Sequence, residues 1–154
     1  MAAGFPAGPS GNSVETLRKF NRYSTRMPAP DPTDVEIVRQ QGFVEARYLG
    51  EYSFEGYKKR MEISVRSCLE HKQTLLLVDI TGLSRYLPTV SERHKIGVYG
   101  AELSRGLKKV AALGTFEQIG PEPFSSMVAR NRGLRIRAFV DRAQAVAWLT
   151  DPDA

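Results

Sequence analysis

Residues 74–80, TLLLVDI, form a continuous apolar run that closes on Asp79 and the pair Thr81-Gly82. A strand with one face in water alternates apolar and polar residues, whereas a strand without alternation needs cover on both faces. This run therefore predicts a central strand inside a layered α/β domain. The segments around it supply the layers.

Upstream, Val35 and Ile37, then Phe43, Val44, Ala46 and Tyr48, interleave with Glu36, Arg39, Glu45 and Arg47 on either side of Gln40-Gln41-Gly42. Period two about a glycine-containing connection predicts an antiparallel β-hairpin. Ser53 then caps a helix whose Phe54, Tyr57, Met61, Val65, Cys68 and Leu69 recur at steps of three and four. Lys58, Lys59, Arg60, Glu62 and Arg66 are expected on its outside.

Beyond the central strand, Thr89 and Glu92 make a capping box for a helix running to about Arg105. Ile96, Tyr99, Leu103 and Leu107 form its expected inner stripe, and Gly97, Gly100 and Ala101 beside the stripe predict a closely packed neighbour. Residues 108–113 read as another strand. Gly120-Pro121-Glu122 reads as a helix start, with Phe124, Met127 and Val128 facing inward and Asn131-Arg132-Gly133 as its stop. Residues 134–140 alternate as the last strand. Asp141 with Gln144 caps a closing helix that docks Ala145, Val146, Trp148 and Leu149. The order ββαβαβαβα predicts a mixed sheet of about five strands, an antiparallel hairpin followed by parallel strands, with about four helices.

Residues 1–32 have a different character. Met1 to Ser13 is built of Gly, Pro, Ala, Ser and Asn around Phe5, and Pro28, Pro30 and Pro32 follow later. Such stretches bury too little apolar surface to offset their ordering entropy, so 1–32 is expected to be a flexible basic tail and 33–154 a single domain. Within the tail, residues 14–27 have near-helical spacing, and a short basic amphipathic helix there would suit contact with a membrane surface. Residues 1–30 hold Arg18, Lys19, Arg22 and Arg26 against Glu15, which leaves 18 basic and 16 acidic residues out of 22 and 17 for the remaining chain. The domain itself is nearly balanced, unlike proteins built mainly to neutralise phosphate backbones. No membrane-spanning run or signal peptide is apparent, and the expected compartment is the cytoplasm.

The strand TLLLVDITGL, the strand KKVAALG and above all the closing run ARNRGLRIRAFVDRAQAVAWL resemble the SpoIIAA-like, or STAS/SEC14-like, domains of bacteria. The resemblance implies an α/β sheet that binds no nucleotide and ends in a strand, an acidic cap and an Ala-x-x-Trp-Leu helix. It also implies a regulatory or scaffolding role exercised by binding protein partners. In the family's antagonists of anti-sigma factors, a Ser in an Asp-Ser-Ser-Gly turn after the central strand is phosphorylated. Here that turn is Ile80-Thr81-Gly82-Leu83-Ser84, so that switch does not carry over. Thr89 and Ser91 do stand at a predicted helix N-terminus, where a phosphate would be favoured, and they are candidate phosphorylation sites. Capping alone also accounts for Thr89.

The chain offers little for catalysis. Gly82-Leu83-Ser84-Arg85-Tyr86 lacks the second glycine of a nucleophile elbow, and Gly82 belongs to neither a P-loop nor a dinucleotide fingerprint. Cys68 and His71 share a helix, but Cys68 lies on the apolar stripe, and His94 sits among Glu92, Arg93 and Lys95. These features predict a non-enzyme without cofactor or metal. Two surfaces remain. Leu83, Arg85, Tyr86, Leu87 and Thr89 lie beyond the carboxyl end of the central strand and form the expected partner-binding loop, unless they only cover the sheet end. Arg130, Arg132, Arg135 and Arg137, with Arg142 beyond, form a candidate anion-binding patch or a charged edge that blocks strand pairing. A protein partner is the first expectation, and a small apolar or acidic lipid-like ligand is the alternative. Nucleic acid ranks last, because no aromatic stacking platform accompanies the arginines.

Overall fold

The structure, a computed structural model, describes Thr16–Arg18 and residues 34–154. Gly42 turns the chain back at φ +89°, so that β2 (Val35–Gln40) and β3 (Phe43–Tyr48) pair antiparallel with Gln40 opposite Phe43. A short strand β1 (Thr16–Arg18) pairs antiparallel with the outer side of β2. Three of the residues read as an amphipathic helix are therefore strand, because β2 offers an edge that a local sequence pattern does not reveal. The rest of the expected tail lies outside the described residues.

After β3 come β4 (Gly50–Glu51), α1 (Phe54–Glu70), β5 (Leu75–Asp79), β6 (Leu83–Ser84) and α2 (Val90–Leu103), which ends in a 3-10 turn over Ser104–Gly106. They are followed by β7 (Lys109–Leu113), α3 (Phe116–Ile119), α4 (Phe124–Asn131), β8 (Ile136–Phe139) and α5 (Arg142–Thr150). The main sheet runs in the order β1-β2-β3-β5-β7-β8, parallel from β3 onward, and β4 and β6 form a separate parallel pair. The mixed α/β sheet expected from the sequence is present, with α3 as an additional short helix.

Helices α1, α2 and α4 cover one face of the sheet, where Val44, Ala46, Tyr48, Leu76, Val78 and Val110 meet Tyr57, Val65, Cys68, Ile96 and Ala129. Helix α5 covers the other with Ala145 and Leu149 on Phe43, Leu77, Ala111 and Leu113. Alternate residues of β5 thus enter different cores, which is why residues 74–80 show no polar period. The local stops and starts hold as well: Ser53 accepts from Gly56 N, Asp141 from Gln144 N, and Gly133 takes φ +99°.

Two helix faces differ from the expected ones. On α1 the Arg60 side chain is wholly buried, because its guanidinium finds backbone carbonyls inward, and Leu69 is 54% exposed while Ser67 and Cys68 of the same turn are buried. On α4, Met127 faces solvent and Ser126 and Ala129 face inward. The cause is Gly97: a Cβ on it would lie 2.6 Å from Ser125 O and 2.7 Å from the Val128 Cβ, so α2 and α4 touch too closely for a large side chain between them. Helix α4 also begins at Phe124, later than the Gly120-Pro121-Glu122 start.

Helix α5 lies mainly over β5, β7 and β8, reaching β3 only at Phe43 and through Arg142, and a polar cluster occupies the adjoining part of the sheet. The Glu45 side chain, fully buried, accepts two 2.6 Å hydrogen bonds from Arg142, one of 3.0 Å from Arg47 and one of 3.1 Å from Gln40. Burial alone would raise the Glu45 carboxyl, but the bonds from Arg142 and Arg47 outweigh it and hold it below its ordinary 4.5.

A carboxylate with a depressed folded-state value contributes stability above its unfolded value and loses that contribution as pH falls through the folded one. The wild type's resistance to denaturant should therefore weaken as pH falls below 4.5, the ordinary carboxylate value. Glu45→Gln should start about 2 kcal/mol less stable at neutral pH, the partly exposed Arg142 limiting the loss, and should lose less on acidification. Equal pH slopes would contradict this role. Helix contact makes a second expectation: Gly97→Ala should destabilise by about 1–3 kcal/mol through overpacking. In contrast Gly100→Ala, whose Cβ would meet only Met61 Sδ at 3.6 Å, should be neutral or stabilise by up to about 1 kcal/mol in urea melts.

Candidate functional site

Strand β5 ends where Asp79 folds onto its own backbone, its Oδ1 accepting from Thr81 N at 2.9 Å and from Thr81 Oγ1 at 2.6 Å. The loop that follows lies against the end of β3. A Cβ on Gly82 would stand 2.9 Å from both Tyr48 O and Leu49 Cδ2, so only glycine lets the chain pass. Leu83 then turns into the core at 6% exposure, and β6 pairs with β4, Tyr52 N donating to Ser84 O at 2.9 Å. Arg85 takes a left-handed φ of +54°, and its Nε pairs with Glu51 at 3.0 Å on the surface.

From the neighbouring helix α3, Gln118 Nε2 donates to Ile80 O at 2.8 Å and Leu83 O at 3.3 Å, while its Oε1 accepts from Thr115 N. Beneath the β3–α1 connection, Arg60 donates to Leu49 O at 2.8 Å, to Asp34 O at 3.3 Å and to Glu51 O at 3.4 Å. The β5–α2 loop is thus tied on three sides. Such a loop is a preorganised surface rather than a lid.

Tyr86, half-buried, joins Tyr52, Tyr57 and Tyr48 in an aromatic cluster with ring centroids 5.1–5.9 Å apart. Tyr52 donates its hydroxyl to Glu92 at 2.9 Å, and Glu92 closes the capping box with Thr89. Burial pushes the Tyr48, Tyr52, Tyr57 and Tyr86 hydroxyls above their ordinary value, and it raises the Cys68 thiol to about 12. The tyrosines stay neutral and the thiol stays protonated, so none of these groups is an activated nucleophile or base. His71 Nδ1 lies 2.8 Å from Ser67 O, and His94 is exposed. What the assembly presents is a shape.

Of the sequence-predicted partner residues, Leu83 supports the loop from inside, Tyr86 is held in the cluster, and Thr89 spends its hydroxyl on Glu92 N. Arg85 and Leu87 face solvent, Leu87 at 76%. Ser91 is exposed in the first turn of α2. Three residues that sequence reasoning missed belong beside Leu87: Val90 at 72%, Phe116 at 67% and Val140 at 56% exposure. All four follow the carboxyl ends of parallel strands β5, β7 and β8, which the topology places at one end of the sheet. A signal was present in the sequence. Thr89-Val90-Ser91-Glu92 and Thr115-Phe116-Glu117-Gln118 are both capping boxes, and each puts a large apolar residue at the first helical position, where it projects away from the helix's buried stripe.

The arginines do not all gather. Arg130, Arg135 and Arg137 line an open hollow of about 420 Å³ with Ile136 and Trp148 along β8. Arg132 lies apart, lining a hollow between α1 and α2 with Phe54, Lys58 and His94, and Arg142 is committed to Glu45. A small cavity of about 70 Å³ lies under α1, α2 and α4, lined in part by Met61, Ser64, Gly100 and Ser125. Among the described residues no His, Cys, Asp and Glu side chains group as a metal site, and no helix is long and apolar enough to cross a membrane.

No protein-family model matches this sequence, and no curated protein matches it. Among solved structures, the chain is similar to an uncharacterized protein from the DUF3478 family with a SpoIIAA-like fold from Shewanella loihica PV-4. The two are 22% identical over 92% of this chain and 99% of the other, with a TM-score of 0.45. That likeness concerns the path of the backbone, and nothing about partners or activity is taken from it.

Proposed function

We propose that this chain is a non-catalytic bacterial regulatory or scaffolding domain of the cytoplasm that binds a protein partner at the carboxyl end of its parallel strands. The observation that carries the reading is the placement there of Leu87, Val90, Phe116 and Val140, four of the six large apolar residues exposed among the described ones. Apolar side chains collected on a rigid platform gain more from docking than the same residues on a mobile loop, because little further ordering is needed. Arg85, fixed by Glu51 beside them, supplies a charged rim. Ser91 and Thr89 border the same surface, so a phosphate on Ser91 would alter docking directly.

A carrier of a lipid-like ligand needs an interior of several hundred Å³, and the cavity under α1, α2 and α4 offers about 70 Å³. The rim, not the interior, is therefore the reading with an observation behind it.

A photo-crosslinking amino acid placed at Leu87 should, in cells, join the chain to another polypeptide, whereas the same group at Leu69 should not. Leu69 is also exposed, at 54%, but it ends α1 at the opposite end of the sheet. Adducts at position 69 without any at 87 would overturn the reading.

A further inference from the structure

We propose that the free edge of the sheet along β8, a surface separate from the carboxyl-end rim, accepts an acidic extended polypeptide segment as an added strand. Strand β8 is the last in the sheet order. Val110 N donates to Arg135 O at 2.9 Å and Gly114 N to Phe139 O at 3.0 Å. With Ala111 opposite Arg137, the parallel ladder turns the backbone groups of 135, 137 and 139 toward β7 and those of Ile136 and Ala138 outward. Among the described residues no strand pairs with that outward side.

The side chains beside this edge are cationic. Arg130, Arg135 and Arg137 share the hollow with Trp148, and among the described residues none of the three forms an ion pair with an acidic side chain. Arg130 Nη1 instead donates to the outward Ile136 O at 3.2 Å, Arg135 donates to Ala154 O, and Arg137 lies over the Phe139 ring at 5.4 Å. Arg130 therefore blocks the edge with a single exposed bond. An incoming strand can replace it with a backbone N–H, which frees the guanidinium for a carboxylate of that strand.

The occupant follows from two complementarities. Guanidinium groups without acids select an anion, and outward N–H and C=O groups on one strand select a polypeptide backbone. Single-stranded nucleic acid would need an open aromatic face. Trp148 does not offer one freely, since the Lys109 ammonium lies 4.8 Å from its ring centre and the Phe139 ring 5.8 Å away.

Trp148 is the single tryptophan, so intrinsic fluorescence of the full chain reports on this hollow. A peptide of alternating Glu and Val should change it saturably and in a salt-sensitive way, while inorganic phosphate and a single-stranded oligonucleotide should not. Arg135→Ser with Arg137→Ser should weaken peptide binding by about tenfold or more. Ala138→Pro keeps every charge but removes an outward N–H at a position where an edge strand tolerates proline, and it should weaken binding by about as much. As a check that does not depend on that variant folding, bound peptide should slow hydrogen exchange of the wild-type Ala138 amide. Absence of a saturable response, equal binding of the oligonucleotide or phosphate, or peptide binding that leaves the Ala138 amide unprotected would each overturn the proposal.

Discussion

A guanidinium enclosed in protein must find acceptors there, and Arg60 donates from Nε and Nη2 to backbone carbonyls from both ends of the hairpin. Its bonds to Asp34 O, Leu49 O and Glu51 O join the start of β2, the end of β3 and helix α1 at one point. A charge so placed is costly if a partner is missing, so the connection cannot shift without a large penalty. Glu51 lies in β4, which pairs with β6, and β6 carries the loop that ends in Tyr86, Leu87 and Thr89. The order of the exposed rim thus descends from one buried cation through a two-residue strand pair.

The same logic explains what the sequence could and could not reveal. The hairpin turn at Gly42, the unbroken apolar strand at 75–79, and the caps at Ser53, Thr89 and Asp141 are set by neighbours within a few residues, and they are legible. Helical spacing alone assigns Arg60, a charged residue, to water. Its burial depends on carbonyls delivered from positions nine to twenty-six residues away. Met127 shows the converse: apolar character predicts burial, but Ser125 and Val128 make the contact with Gly97 and Met127 is left facing solvent. Strand β1 depends on an edge of β2 that a local pattern cannot show.

The candidate site divides in the same way. That a loop after the central strand would matter was readable from strand polarity, since the carboxyl ends of parallel strands leave a crevice for side chains from several connections. Which of its residues face outward was not. Leu83 and Tyr86 are taken up by the core and the tyrosine cluster, and Val90, Phe116 and Val140 replace them at the surface. Of the arginines, Arg142 is consumed by Glu45, leaving Arg130, Arg135 and Arg137 to define the cationic edge along β8. The chain therefore carries two chemically distinct faces, an apolar rim and a basic strand edge, on a scaffold whose polar interior is spent on holding itself together.

Arg60 holds the rim in place through β4 and β6. Hydrogen exchange at the Tyr52 and Leu83 amides, which donate to Ser84 O and Ile80 O, tests this most directly. In the wild type these amides should be protected to within about tenfold of those in β5, and Arg60→Met should speed them by at least about tenfold more than it speeds the β7 and β8 amides. Rapid exchange in the wild type, or a uniform change across the sheet in the variant, would contradict the account.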